Sequence, residues 1–295
     1  MTVEQWTGVA EKRVIITGAT GGIGLAAAQE LARKGARLSI IARSETRAAA
    51  AVAQITAAGG TGTDVEVLRA DLSSQASIRQ LADEILARHP RVDVLINNAG
   101  GINSSRRLTE DHLELTWAVN HLAPFLLTAL LLERIKASTP ARIITTTSDA
   151  HAGAQIPFED INAMGGYGNF GFTRYGQTKL ANILFTNELA RHLEGTGVTA
   201  NCFHPGFVAS GFNRNNGTLM ALAMTLARPF ARTPAKGADT MVWLADSPEV
   251  SLESGGYFVD RKRIQPSSAA SDQETARRLW ELSEEETGLR TSAVS

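Results

Sequence analysis

Residues 174–179 read RYGQTK and set Tyr175 four positions before Lys179. On a helix, residues four apart share a face. In water a phenol titrates near about 10 and an ammonium near about 10.4, so neither alone is an acid–base group for neutral pH. Brought together, the ammonium favours tyrosinate over phenol. Lowering a phenol by about three units requires roughly 4 kcal/mol, a sum within reach of a cation and helix-terminal amides in a dry cleft. The pair therefore reads as a proton-transfer device. Tyrosines occur at 167, 175 and 257, and the residues four further on are Gly171, Lys179 and Arg261, so Tyr175 alone meets a lysine.

Such a pair needs a scaffold. Short β-branched runs at 13–17, 37–41, 65–69, 92–96, 142–147, 198–203 and 257–259 alternate with helical spacing at 22–34, 45–58, 74–88, 109–137, 175–193 and 234–246. This alternation predicts βαβ units in a doubly wound parallel sheet of the Rossmann type, about seven strands with helices on both faces. Almost unbroken apolarity in VDVLI and RIITTT fits strands covered on both sides. The expectation is one domain over residues 1–295, with ligands outside the carboxyl ends of the strands.

The first strand runs into TGATGGIG, residues 17–24, which opens a helix. Glycines there allow a tight turn, and the helix N-terminus offers free N–H groups to a phosphate. Gly18, Gly22 and Gly24 are the positions assigned to a dinucleotide, the bland alternative being an ordinary strand-to-helix turn. The second strand ends in IIARSE, with Arg43 and no carboxylate where a ribose-reading residue should stand. A guanidinium pairs with the 2′-phosphate of NADP, whereas a carboxylate would accept from the 2′-hydroxyl of NAD. NADP is therefore expected in preference to NAD, unless Arg43 is merely a solvated loop residue. Asp71, in ADL, either bonds an adenine amino group or caps the next helix. In NNAG, 97–100, the small residues Ala99 and Gly100 beside Asn98 let the chain pass close beneath a cofactor, though the sequence is also simply a good turn.

Composition narrows the partners. The 29 basic and 30 acidic residues nearly cancel, leaving a formal charge of −1 and no reason to expect nucleic acid. One cysteine, Cys202, excludes an internal disulfide framework, and it reads as buried filler. The six histidines show no HExxH pairing, so no metal site is expected. The N-terminal MTVEQWTGVAEKR lacks a signal-like apolar run, and a cytoplasmic location is the expectation. The apolar run at 122–135 is interrupted by Pro124 and reads as a buried helix too short to span a bilayer, so no integral membrane segment is expected. A homo-oligomer is compatible with all of this.

TGATGGIG, NNAG, a serine after the fifth strand and YGQTK, in this order, resemble the short-chain dehydrogenase/reductase family, of the classical type. The resemblance runs from residue 13 to about 285. YGQTKLANILFTNELARHLEGTGVTANCFHPG and the tail SGGYFVDRKRI…ETARRLWELSEEETGL look closest to the retinol-dehydrogenase-like branch. The resemblance implies that Ser148 bonds the substrate oxygen, Tyr175 transfers the proton, Lys179 also holds the nicotinamide ribose, and Asn120 holds a relay water; a buried asparagine kinking its helix is the plainer account of Asn120. It implies cofactor contacts from Thr20, Ile23, Leu72, Tyr175, Lys179, Pro205, Gly206 and Val208 beside those above. The substrate would be a small carbonyl or alcohol, of a lipophilic kind. His151 and His204 are not required by this chemistry and are read as structural or substrate-adjacent. Two other functions stay open: a non-catalytic NADP-binding regulator, and an extended-type epimerase or dehydratase that would use Gly18, Gly21 and Gly24. Substrate-lid segments are expected near 152–174 and 207–232, with glycines and aromatics alternating over 165–172 and a second apolar wall at 217–230.

Overall fold

The structure, a computed structural model, describes residues 5–208 and 231–289. The expected wall at 217–230 lies outside the described residues. Among the described residues, eight strands form one sheet in the order β3-β2-β1-β4-β5-β6-β7-β8. They are β1 (Arg13–Thr17), β2 (Arg37–Ala42), β3 (Val65–Arg69), β4 (Val94–Asn97), β5 (Ala141–Thr146), β6 (Val198–Phe203), β7 (Tyr257–Val259) and β8 (Lys262–Ile264). Strands β1 to β7 pair in parallel. The eighth, which the expected seven omitted, turns back antiparallel on β7.

Side-chain alternation along the strands explains why both faces need cover. Val14 and Ile16 of β1 face one way, onto α1 (Gly22–Arg33) and α7 (Pro234–Asp246) through Leu31, Met241 and Leu244. Ile15 faces the other way, where Leu95 and Ile143 meet Leu81 and Ile85 of α3 (Gln75–Arg88) and Leu126 and Leu131 of α5 (Ala123–Lys136). A third cluster joins Trp117 to Leu180 and Leu184 of α6 (Phe172–His192) and Leu279 of α8 (Gln273–Glu286). Helix α2 (Glu45–Gly59) packs on α1. The chain steps outward from β1 to β3 and then returns to lay β4 on the other side of β1, so a crevice opens between the carboxyl ends of β1 and β4.

Two helix starts and one whole helix differ from expectation. The pattern read over 109–137 begins at α4 (Leu115–Trp117), because Glu114 caps it by accepting from the Thr116 and Trp117 N–H groups at 2.8 and 2.9 Å. It then passes through a π-helical turn, Ala118–Leu122, before α5. The whole run of 22 residues is long and apolar enough to cross a membrane, contrary to the expectation that it is too short; 72% of its most apolar window is buried inside the protein, as a core helix would be. Helix α6 starts at Phe172, so Tyr175 sits one turn inside it rather than at its first residue. The C-terminal α8 was not among the expected helices.

Candidate active site

Gly18 and Gly22 have φ of 71° and 57°, a region that disfavours side chains. At Gly24 a Cβ would stand 2.3 Å from the Gly18 carbonyl oxygen, so only hydrogen fits. A Cβ at Gly21 would meet nothing within 4 Å. The backbone demands therefore fall on the Gly18, Gly22, Gly24 set and not on the extended-type set. Helix α1 has no side-chain hydrogen bond at its N-cap, so its first-turn N–H groups face the crevice without one. Nearby, the buried Asn97 has an Oδ1 without a hydrogen-bond partner and lines a small cleft with Thr17, Leu72, Ala99 and Val119. An uncapped 12-residue helix and an unpaired carbonyl oxygen fit the phosphates and polar edges of a dinucleotide.

NNAG is stitched to this turn. Thr17 Oγ1 accepts from the backbone N–H groups of Asn98 and Ala99, both at 2.9 Å. Asn98 Nδ2 donates to the Thr17 and Gly18 carbonyls at 3.0 and 3.3 Å, so its amide nitrogen is committed to the scaffold. Thr20 and Ile23 are half-buried beside the turn. Arg43 is exposed at the end of β2, 3.6 Å from Asp71, which brings those two predicted contacts together. Asp71 is not the cap of α3: its Oδ1 accepts from Ser73 N–H and Oγ at 2.9 and 2.7 Å, and Ser74 caps the helix. Burial would raise the Asp71 carboxyl, but the Ser73 bonds and Arg43 together hold it below its ordinary value.

Asn120 and Lys179 stand beside Gly100, and Tyr175 links Lys179 to Ser148. A Cβ at Gly100 would stand 3.1 Å from Asn120 Oδ1 and 3.6 Å from Lys179 Nζ. Asn120, fully buried in the π-helical turn, accepts from Gly101 N–H at 2.8 Å and donates to Gly101 O at 2.9 Å and Thr178 Oγ1 at 3.1 Å. Both amide hydrogens are thus in use, which leaves one Oδ1 lone pair with which the side chain could hold a water. Lys179 Nζ donates to Thr146 O at 3.0 Å and lies 5.4 Å from the Tyr175 ring centroid. Burial lowers the Lys179 ammonium to about 8.

Tyr175 departs from expectation. Its phenol is pushed above its ordinary value, first by burial and also by the Asp149 carboxylate, against a lowering hydrogen bond with Ser148. Desolvation outweighs the benefit expected of Lys179, whose own charge the same burial disfavours. Ser148 lies just past β5 and caps a single 3-10 turn, Asp149–His151. Its hydroxyl donates to Asp149 Oδ1 at 3.1 Å and accepts from Ala150 N–H at 3.2 Å.

Of the two histidines, His151 stands against Ser148 and His204 against Asp149. His151 Nδ1–H donates to the Ser148 carbonyl at 2.7 Å, while Nε2 accepts from Ser267 N–H at 3.1 Å, so His151 is engaged in structure on both sides. His204 Nε2 lies 3.7 Å from Asp149 Oδ2, and burial lowers its pKa. At the turn after β6, Gly206 has φ 79°, and a Cβ would meet Arg232 Nε at 2.6 Å. Arg232 forks onto Asp260 at 2.6 and 2.9 Å and bridges Val208, supporting the Pro205–Gly206 turn from below. Val208 packs toward Gly237 of α7, as does Ile23. Sequence reasoning did not single out Arg232, Asp149, Thr178 or the buried Glu114–Arg174 pair. The last had one visible signal, a charged residue directly before Tyr175.

A family model described as short chain dehydrogenase matches residues 12–219. Retinol dehydrogenase 14 of Mus musculus is 43% identical over 295 residues, covering 94% of this chain and 86% of that protein. A crystal structure of an uncharacterized protein from Mycobacterium paratuberculosis superposes with a TM-score of 0.75 at 32% identity, covering 97% of this chain and 98% of that one. The RhlG/NADP active-site complex of Pseudomonas aeruginosa superposes with a TM-score of 0.68 at 25% identity, over 91% of this chain and 100% of that one. The fold is thus a shared architecture, and the chain belongs to the short-chain dehydrogenase family, in its retinol-dehydrogenase-like branch, as an NAD(P)-dependent oxidoreductase of alcohol and carbonyl groups.

Proposed function

We propose that the protein moves hydride between NADP and a lipophilic carbonyl or alcohol, with Ser148, Tyr175, Lys179 and Asn120 carrying the chemistry. The observation behind this is that Tyr175, hydrogen-bonded to Ser148, lies against Lys179, which with Asn120 stands beside Gly100, at the carboxyl ends of β4 and β5. A bound nicotinamide supplies or takes the hydride and, when oxidised, brings a positive charge. In the reductive direction Ser148 orients the carbonyl oxygen and Tyr175 gives it a proton. A phenol held protonated by burial is suited to that donor role. Lys179, anchored on Thr146 O, replenishes the proton and holds ribose hydroxyls. Asn120 keeps Gly100 and Gly101 in register with α6.

Preference for NADP is supported by Arg43, exposed at the end of β2 and standing where an NAD-binding chain would carry a carboxylate, and by the NADP of the similar Pseudomonas complex. A lipophilic substrate is supported by Phe170, Phe172 and Phe207, which expose 72%, 44% and 48% of their surface, the first two a few residues before Tyr175 and the third beside Gly206, and by the naming of the relatives as retinol dehydrogenases. In this reading residues 152–174 border the substrate mouth. The test is NADPH oxidation by the purified protein across aldehydes and ketones, beside Tyr175→Phe. Stoichiometric NADPH consumption that Tyr175→Phe abolishes, with NADPH binding retained, is the expected result. Substantial turnover by Tyr175→Phe would remove Tyr175 from the acid–base role, and absence of any carbonyl-dependent oxidation would favour a cofactor-binding regulator.

A further inference from the structure

We propose that the buried Glu114–Arg174 ion pair is a positioning device for the reaction, setting Tyr175 against Asn120 by tying together three segments that surround the proton-transfer site. The proposal rests on the reading of Tyr175 as the acid–base group.

Arg174 Nε donates to Glu114 Oε2 at 2.7 Å, with side chains 1% and 0% exposed. The same carboxylate accepts from Thr116 N–H at 2.8 Å, Trp117 N–H at 2.9 Å and the Tyr167 hydroxyl at 3.1 Å. Tyr167 is also 2.7 Å from Thr116 Oγ1. On the other side, the guanidinium donates to Gln177 Oε1 at 3.2 Å and to Ile161 O, and it lies 4.7 Å over the Trp117 ring. One carboxylate thus holds the start of the helix that leads into Asn120, a tyrosine of the glycine-rich mouth, and the residue covalently joined to Tyr175. Asp160, His121 and Glu286 also feel the Arg174 charge.

Stability alone is a poor reason for this arrangement. Replacing a buried ion pair with well-packed apolar residues is often neutral or stabilising. What directional bonds add over apolar packing is resistance to sliding. A proton donor must lie within about 2.6–3.2 Å of its acceptor, and a displacement of about 1 Å can cost on the order of a hundredfold in rate. Arg174 fixes the backbone next to Tyr175, while Glu114 fixes the helix whose π-helical turn carries Asn120. The contacts that place the two reacting elements therefore share a single buried anchor.

The test is steady-state carbonyl reduction and NADPH binding by fluorescence titration for Glu114→Gln, Arg174→Met and Arg174→Lys. Glu114→Gln keeps the volume and an acceptor but removes the charge, and should lower kcat about tenfold or more while the NADPH Kd and carbonyl KM stay within about twofold. Arg174→Lys keeps the charge without the fork and should recover part of the kcat lost in Arg174→Met. Folded variants with unaltered kcat would overturn the proposal, as would losses of kcat, Kd and melting temperature in proportion. Where Glu114→Gln does not fold, Arg174→Lys decides alone: a several-fold lower kcat with unchanged Kd supports the proposal, and an unchanged kcat overturns it. Tyr175→Phe, measured alongside, separates the two readings. An active Tyr175→Phe removes the assignment of Tyr175, whereas an inactive one beside fully active Glu114 and Arg174 variants removes only the coupling.

Discussion

Asn120 and Gly101 are joined twice, the carboxamide accepting from the glycine N–H at 2.8 Å and donating to its carbonyl at 2.9 Å. The side chain acts toward Gly101 as a neighbouring backbone strand would, and it fastens the segment after β4 to the π-helical turn. Its remaining hydrogen reaches Thr178, the residue before Lys179. Asn120→Leu, nearly the same size, would leave the Gly101 polar groups unpaired at about 1–3 kcal/mol each. Expected results are a melting temperature lower by several degrees and a turnover at least tenfold down, read by calorimetry and NADPH oxidation.

Lys179 carries a pH signature in stability. Burial holds its ammonium at about 8, below the ordinary 10.5, so between these values the unfolded chain binds more protons than the folded one. Stability then rises with pH across that window. The burial penalty is fully present below about pH 8, on the order of 3 kcal/mol, and is gone above about 10.5. Lys179→Met removes the penalty together with the bond to Thr146 O. Its stability relative to the unaltered protein should therefore fall as pH rises from 8 to 10.5, in urea titrations at fixed ionic strength, while turnover is lost at every pH. A stability difference flat across that range would contradict the lowered pKa.

At the end of β2, Arg43 faces Asp71 across 3.6 Å, the guanidinium exposed and the carboxylate half-buried. Such an exposed pair is weak and leaves the guanidinium free to exchange partners. NADPH should be preferred over NADH, and Arg43→Asp should weaken NADPH ten- to hundredfold, corresponding to about 1.5–3 kcal/mol for a charge-assisted contact. Equal kcat/KM for the two cofactors in the unaltered protein would count against Arg43 as a phosphate reader.

Phe170 is exposed in a run of positive φ that includes Gly168, Asn169, Phe170 and Gly171 at 52°, 41°, 50° and 84°. Asn169 and Phe170 are held there in a conformation that L side chains rarely adopt. Trimming Phe170 or Phe172 to Ala should raise KM for long-chain carbonyls several-fold and leave short ones little changed, because the lost surface serves only substrates long enough to reach it. Kinetics over aldehydes of increasing chain length check this. A preference for short, charged or sugar-like substrates would set aside the lipophilic reading.

Much of this molecule is decided locally, and those parts were legible in the sequence. Strands β1, β3, β6 and β7 run over their expected residues because β-branched runs between turn residues leave little choice of conformation. The glycine turn is equally local: Gly18 and Gly22 need positive φ and Gly24 needs the absence of a Cβ. Other features arise only when distant segments meet. Strand β8, three exposed residues, forms because β7 offers it a free edge. Helix α8 buries a serine on its inner face, Ser283, whose hydroxyl donates to Leu279 O within the helix and meets His121 Nε2 of a distant segment at 2.9 Å. Glu114 and Arg174, sixty residues apart, announce no spacing, and the placing of the helix cap on Ser74 rather than Asp71 depends on how the loop closes. Above all, the direction of the Tyr175 pKa could not be read from its place one turn before Lys179. Spacing along a helix is covalent geometry, whereas desolvation is a property of everything packed around the phenol, and here it is the larger effect.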